Sequence, residues 1–275
     1  LYHSEILLPP GLVNRFVNFV VDVMNNLSGV LAHKIVAYTE DFARHASYLR
    51  RHAKKVRVIL PNIQLPTATP EEMSAFNEKH DLKGRKVIGM ATRFAAEKGI
   101  EILLEALPIV QQRYPNVRVL FAGQYEGVWG EEAYAARLKP LIAQYQEAGC
   151  WEFLGVLSMS EMAAFYPNLD VLVVPSLNST ETFGFVQVEA MMNGVPCVAS
   201  NLPGVRQPVM MTGMGKVIPV GDSKALAEAI LEILAQPEKF KGDPARVRQM
   251  FHPDTNAAAF EALFLELLEG KSARN

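Results

Sequence analysis

The sequence predicts an α/β protein built on a Rossmann-like, doubly wound parallel sheet, with a partial second Rossmann-like unit at its amino terminus. Three observations carry this. From Arg85 onward, short apolar runs alternate with helical patterns. The runs lack an apolar-in, polar-out alternation, so they read as strands buried on both faces. Residues 1–62 repeat the same texture on a smaller scale.

Taken in order, Asn14–Lys34 reads as a long amphipathic helix. Ile35–Thr39 reads as a strand, with Thr39 placed to cap a helix over Glu40–His52. Val56–Leu60 is a strand closed by Pro61. Asn62–Arg85, with Pro66, Pro70 and Gly84, has few apolar residues and reads as a hinge holding a short helix. Six strands follow, over Lys86–Thr92, Val117–Gly123, Trp151–Gly155, Asp170–Ser176, Pro196–Ser200 and Lys216–Val220. Between them, helical spacing is carried by Ile102, Leu103, Ala106, Leu107 and Val110, and by Leu138, Leu141, Ile142 and Tyr145. Leu226, Ala229, Ile230 and Ile233 repeat that spacing near the end. Such an order implies right-handed crossovers. Pro253–Gly270 is a helix with Ala257, Phe260, Leu263, Phe264 and Leu267 on one side. We therefore expect a truncated first domain at 1–62, a linker at 63–84, the main domain at 85–240, and a helical segment at 241–275 packing back across the hinge.

The chain has 275 residues, with 27 Lys and Arg against 29 Asp and Glu, a net charge of −2. That balance offers no bulk charge to hold nucleic acid or an acidic membrane. Cys150 and Cys197 are too few for a disulfide framework or a thiolate metal site. We expect a reducing, cytoplasmic setting, with the inner face of the membrane as the alternative. No apolar run reaches the ~18–20 residues of a spanning helix, and no signal peptide is recognised. Leu1 opens in mid-pattern, so the natural protein is expected to be longer, with the front of its first domain missing here. Asn14, Arg15, Asn18, Asp22, Asn25 and Asn26 leave the first helix no clean basic face, which favours a packed interdomain helix over peripheral membrane contact.

Ligands of doubly wound sheets bind outside the carboxyl edges of the strands. The first strand of the main domain ends in Thr92-Arg93-Phe94, and a helix begins near Lys98-Gly99. A cation in the first turn opposes the helix dipole unless an anion sits there. Arg93 and Lys98 thus suit a diphosphate, or Lys98 pairs with Glu97 or Glu101 in solvent. Glu181-Thr-Phe-Gly-Phe-Val-Gln-Val-Glu189 leads into a nearly wholly apolar helix beginning near Gly184. A carboxylate there, at Glu189, needs hydrogen-bond donors such as sugar hydroxyls, or else a buried Arg or Lys. Glu181, in the loop before the helix, is placed for a second set of hydroxyls. Gly123 and Gly155 close two strands and would let a flat ligand lie on backbone.

The segments Ala91–Ile100, Phe153–Gly155, Val173–Ser176, Glu181–Glu189 and Gly194–Ser200 resemble the nucleotide-sugar half of retaining glycosyltransferases of the GT-B fold, family 4, also called group 1. The resemblance is strong over 85–240 and looser over 1–62. It makes residues 1–62 the closing part of an acceptor-side domain. It implies that Arg93 and Lys98 neutralise the donor diphosphate, that Glu189 accepts ribose hydroxyls and that Glu181 holds hydroxyls of the transferred sugar. Phe183, Gly184 and Phe185 would supply backbone amides near the phosphates and sugar, Thr182 and Gly123 would adjoin the donor, and Leu154 and Val156 would frame the base. Tyr2-His3-Ser4 resembles the family's histidine segment, making His3 a catalytic candidate beside Arg93, Lys98 and Glu181; a histidine so near a chain end is otherwise frayed. The run Asn201–Gln207 departs from the family, with one glycine lost and Gln207 standing where an acid is usual.

The resemblance implies transfer of a hexose from a nucleoside-diphosphate sugar to a hydroxyl of a glycan or lipid, with no cofactor and no metal. No Asp-x-Asp pair lies near a strand end, which agrees. Two alternatives stay open: a nucleotide-sugar epimerase of GT-B architecture, and a non-catalytic nucleotide-sugar-binding fragment. A dinucleotide-dependent dehydrogenase is disfavoured, because no Gly-x-Gly-x-x-Gly follows the first strand.

Overall fold

The computed structural model describes residues 1–3 and 11–272. Ser4 lies outside the described residues. The amino-terminal part contains α1 (Leu12–Leu31), β1 (Ile35–Ala37), α2 (Glu40–His45), α3 (Ser47–Arg51) and β2 (Val56–Val58). After α4 (Pro70–Lys79) come β3 (Val87–Ala91), α5 (Ile100–Arg113), β4 (Arg118–Ala122), α6 (Glu132–Glu147) and β5 (Trp151–Gly155). The second half of the sheet follows as α7 (Met159–Phe165), β6 (Val171–Val174), α8 (Phe185–Met191), β7 (Cys197–Ser200), α9 (Gln207–Thr212) and β8 (Gly215–Ile218). The chain closes with α10 (Ser223–Ala235), α11 (Pro237–Phe240), α12 (Pro244–Met250) and α13 (Pro253–Ser272).

The six strands β3–β8 form one parallel sheet in the order β5-β4-β3-β6-β7-β8. Side chains alternate along each strand, yet both sets are apolar. Ile88 and Met90 join the core with Val119, Phe121, Val171, Val173 and the inner faces of α5 and α10. Val87 and Ala91 join the other core with Leu120, Leu172, Cys197 and the buried side of α8. This two-faced burial is why the runs read as continuous. Cys150 and Cys197 are both free and buried.

The helix expected over Glu40–His52 is two helices. Ala46 adopts an extended conformation between them (ψ 123°), and the break turns Phe42, Tyr48 and Leu49 into one small core with Ile35 and Ala37. Thr39 does cap α2, accepting from the Phe42 N–H at 3.1 Å. Thr69 and Glu72 form a reciprocal capping box at the start of α4.

β1 and β2 pair in parallel. α13 lies against them: Leu263 packs with Val36 and Ile59, and Glu266 binds Arg57 and Lys34 at 2.8 and 3.2 Å. The Ile63 N–H donates to the Phe251 carbonyl, tying the linker to the end of α12. α1 exposes Leu12, Phe16, Phe19 and Leu31; Asp22, paired with Arg51, and Gly29, seated over His52, hold it to α3. Among the described residues, no helix is long and apolar enough to cross a membrane.

Candidate functional site

The strand order reverses direction between β3 and β6, the point at which crossovers leave for opposite faces and open a crevice at the carboxyl ends. Ala91 and Thr92 from the end of β3, Ser176 beyond β6, and Lys98, Glu181 and Val186 line this crevice. The loops from the two strands are joined, the Leu177 N–H donating to the Glu97 carbonyl at 2.8 Å.

Lys98 closes a 3-10 turn over Ala96–Lys98, immediately before the Gly99 that caps α5. It therefore precedes the helix and does not occupy its first turn. Its Nζ lies 2.6 Å from Glu181 Oε2, with the two side chains 16% and 22% exposed. Neither Glu97 nor Glu101 is its partner. Glu97 binds Arg93 at 2.5 Å, and Glu101 binds Arg137 and the Tyr134 hydroxyl. The structure thus joins Lys98 to Glu181, while Arg93 is half exposed and held by Glu97.

Gly184, in a left-handed conformation (φ 79°), caps α8, and Glu189 falls in that helix's second turn. Tyr166 donates its hydroxyl to Glu189 Oε2 at 2.5 Å. Burial pushes the Glu189 carboxyl above the usual range, against the pull of that hydrogen bond. Burial, the Glu189 charge and the shared hydrogen bond push the Tyr166 phenol far above its usual range. Among the described residues, no Arg or Lys forms an ion pair with Glu189, and its side-chain partner is the Tyr166 phenol. Gln187, fully buried on the same helix, donates to the Val205 carbonyl at 2.9 Å and braces the Asn201–Gln207 loop.

The Glu181–Phe185 segment also meets the amino-terminal part. Thr182 donates to the His3 carbonyl at 2.6 Å. The buried Phe183 ring packs on Tyr38, Phe185 and Phe251. His3 is exposed but seated. Its neighbour Tyr2 donates its N–H to the Val36 carbonyl and stacks on Tyr48 at 4.6 Å, and His3 Nδ1 meets the Tyr38 hydroxyl at 2.6 Å.

Gly123 does not offer open backbone. A Cβ there would stand 1.9 Å from the Thr92 carbonyl, so the glycine serves the close approach of the two strand ends. Gly155 has nothing within 4 Å of the same position and is the open one of the pair. Leu154 packs partly into the core, and Val156 is largely exposed at the edge of the sheet. In the Asn201–Gln207 run, Gly204 donates its N–H to Asp41 at 3.1 Å, Arg206 forks onto the same carboxylate, and Gln207 opens α9.

Tyr166, Tyr38 and the Asp41–Arg206 pair were not singled out by the sequence. Tyr38, an aromatic at a strand end directly before a capping threonine, was visible there; the others are joined only by the fold.

The model of the family described as glycosyl transferases group 1 matches residues 72–246. A phosphatidyl-myo-inositol mannosyltransferase of Mycobacterium leprae is 32% identical over 151 residues, 55% of this chain and 37% of that protein. A D-inositol 3-phosphate glycosyltransferase of Corynebacterium urealyticum is 29% identical over 194 residues, 68% of this chain and 45% of that protein. The chain therefore spans less than half the length of these relatives. Among solved structures, Anabaena HepE in complex with UDP superposes with a TM-score of 0.75 at 24% identity, covering 95% of this chain and 70% of that one. A glycosyltransferase from Rickettsia africae gives 0.74 at 20% identity, covering 97% and 69%. The fold is that of GT-B glycosyltransferases. With a family match that takes in the whole six-stranded sheet and the crevice between β3 and β6, the chain belongs to the glycosyl transferases group 1.

Proposed function

We propose that this chain is the donor-binding part of a retaining, metal-independent glycosyltransferase that moves a hexose from a nucleoside-diphosphate sugar to a hydroxyl of a lipid or glycan. The observation that carries the reading is the Lys98–Glu181 pair, largely withdrawn from water at the β3/β6 crevice. Each charge neutralises the other across 2.6 Å. A nucleotide sugar would part them, its phosphate oxygens taking Lys98 and its sugar hydroxyls donating to Glu181. Glu189 would accept ribose hydroxyls in place of the Tyr166 phenol. The names of the relatives support an inositol-bearing acceptor, and the HepE complex supports a uridine nucleotide among the donors to test first.

In the reaction, the bond between the anomeric carbon and the diphosphate oxygen breaks as one to the acceptor oxygen forms on the same face. The acceptor proton passes to the leaving phosphate. Arg93 and Lys98 would stabilise the growing phosphate charge, more in the transition state than before it. That is the service a divalent cation would otherwise perform.

A thermal-shift screen of UDP-, GDP- and ADP-sugars tests the binding. Donor at a hundredfold over Kd should stabilise the chain by about 2.7 kcal/mol. In a transfer assay on the full-length protein, losing either cation should cost ~2–4 kcal/mol in barrier. An Arg93→Ala, Lys98→Ala double variant that keeps transfer within tenfold of wild type overturns their assignment. Because the chain spans only 37% and 45% of the relatives described, binding without transfer by this chain alone supports the donor-binding reading by itself.

A further inference from the structure

His3 is held by its main chain and by one side chain. Its carbonyl accepts from Thr182, and its neighbour Tyr2 is fixed by a strand-like hydrogen bond to Val36 and by stacking on Tyr48. These contacts place the backbone but leave the ring free to turn. The Tyr38 hydroxyl, 2.6 Å from Nδ1, is what fixes the ring. Tyr38 is itself buried: it directly follows β1, is 6% exposed, and packs edge-on against Phe185 at 5.6 Å and beside Phe183 at 6.1 Å. It thus belongs to the core of the donor domain although its chain position is in the other part.

Burial raises the Tyr38 phenol above its usual range, so it keeps its proton at neutral pH. A neutral imidazole has one donor and one acceptor nitrogen, and the partner of one nitrogen sets the state of the other. We infer that Tyr38 is a positioning residue that donates to Nδ1 of His3 and locks the ring in the tautomer with its proton on Nε2. The inference rests on the reading of His3 as facing the transferred sugar. With Nδ1 occupied, Nε2–H is the ring group left to meet a ligand, and it can only donate. His3 would then offer a hydrogen bond to a hydroxyl or ring oxygen of the hexose and contribute nothing to the nucleotide. Phe185 couples the two sides: it packs on Tyr38 and stands in the segment from Glu181 to Phe185, so donor contacts there and the aim of His3 share one aromatic support.

Two measurements decide this. Two-bond proton–nitrogen correlation spectra of the 15N-labelled chain report the tautomer of each histidine, and the His3 signals are identified by their loss in a His3→Gln chain. The expected wild-type pattern is an unprotonated, hydrogen-bonded Nδ1 and a protonated Nε2. A proton on Nδ1 overturns the inference without recourse to any variant. Tyr38→Phe keeps the ring packing and removes the hydroxyl, and it should convert His3 to a mixture of tautomers. In the same variant, Kd for the nucleotide sugar should rise about tenfold, the worth of roughly one hydrogen bond. Kd for the matching nucleoside diphosphate should stay within about twofold of wild type. Equal loss for both ligands, or an unchanged His3 spectrum, overturns the positioning role. If wild type binds neither ligand, the donor reading fails, and the wild-type ring spectrum still decides whether Tyr38 holds the tautomer.

Discussion

A carboxylate set among apolar side chains and a phenol is held at a cost, and Glu189 is such a group. Desolvation raises its pKa above the ordinary value of 4.5, although the Tyr166 hydroxyl pulls the other way. A carboxyl raised in the folded state supports the fold while it is protonated. That support is complete below about pH 4.5 and is lost as pH rises through the raised value. Glu189→Gln removes the charge and keeps an oxygen able to accept from Tyr166. At pH 7–8 the variant should be more stable by on the order of 1 kcal/mol, a midpoint rise of about 2–4 °C, with the gain fading toward pH 4. Affinity for a nucleoside diphosphate should fall about tenfold, since an amide is a weaker acceptor for ribose hydroxyls than a carboxylate. Thermal scans across pH, paired with calorimetric titration, test both halves. A variant that loses stability at pH 8 shows that Glu189 serves the fold and not a ligand. Lys98 and Glu181 contrast with it: each withdraws from water against an opposite charge, so removing one leaves the other uncompensated.

At the scale of elements, the two glycines that end neighbouring strands have different tasks. Gly123 adopts φ 135°, and a Cβ there would meet the Thr92 carbonyl at 1.9 Å. Gly155 adopts φ 71° with open space around the same position. Gly123→Ala should therefore cost at least about 3 kcal/mol, combining backbone strain with a clash that backbone must relieve. Gly155→Ala should cost about 1–2 kcal/mol, the left-handed conformation alone. Urea unfolding of the two variants checks the order, and equal losses would mean that the β3 and β4 ends are not packed as described. The sequence showed that both were glycines at strand ends; which one faced a neighbouring backbone depended on the β3–β4 register. The same limit runs through the site. The strands were legible because Val87 and Ala91 face one core and Ile88 and Met90 the other, leaving each run wholly apolar. The start of α8 was legible from Gly184, and the cap of α2 from Thr39. The break at Ala46 was not, since nothing local forbids a helix there and the packing of Tyr48 and Leu49 decides it. The partners of Lys98, Glu189 and His3 are 83, 23 and 35 positions away in sequence, and no periodic pattern reaches that far.

At the scale of the molecule, the amino-terminal part grips the domain of the six-stranded sheet through two loops that touch each other. Thr182, before α8, holds the His3 carbonyl. Gly204, after β7, packs against the Thr182 carbonyl and gives its N–H to Asp41, while Arg206 forks onto Asp41 at 2.6 and 2.8 Å. Burial works against ionising Asp41, yet Arg206, the Gly204 N–H and His45 together hold its carboxyl below the ordinary 3.8. Stability from a carboxyl depressed in this way is present above its ordinary value and is lost as pH falls through the folded one. Arg206→Met keeps the apolar stem and deletes the charge, leaving Asp41 partly buried beside the Gly204 N–H. Full burial of an unpaired charge costs 3–5 kcal/mol by general experience, and the pair here is 21% and 15% exposed, so a loss of about 1–3 kcal/mol is expected. That loss should be largest at neutral pH and should shrink below about pH 3.8, where protonating Asp41 weakens the wild-type clasp as well. Amide exchange should quicken first over residues 35–59, the β1–β2 unit, while β3 and β6 keep their protection, because opening the clasp frees the small sheet before the large one. Should exchange in β1 and β2 stay as slow as in wild type, the hold on the amino-terminal part lies instead with α13, through Leu263 and the Glu266 ion pairs. The same exchange map of a Glu266→Gln variant would then show it.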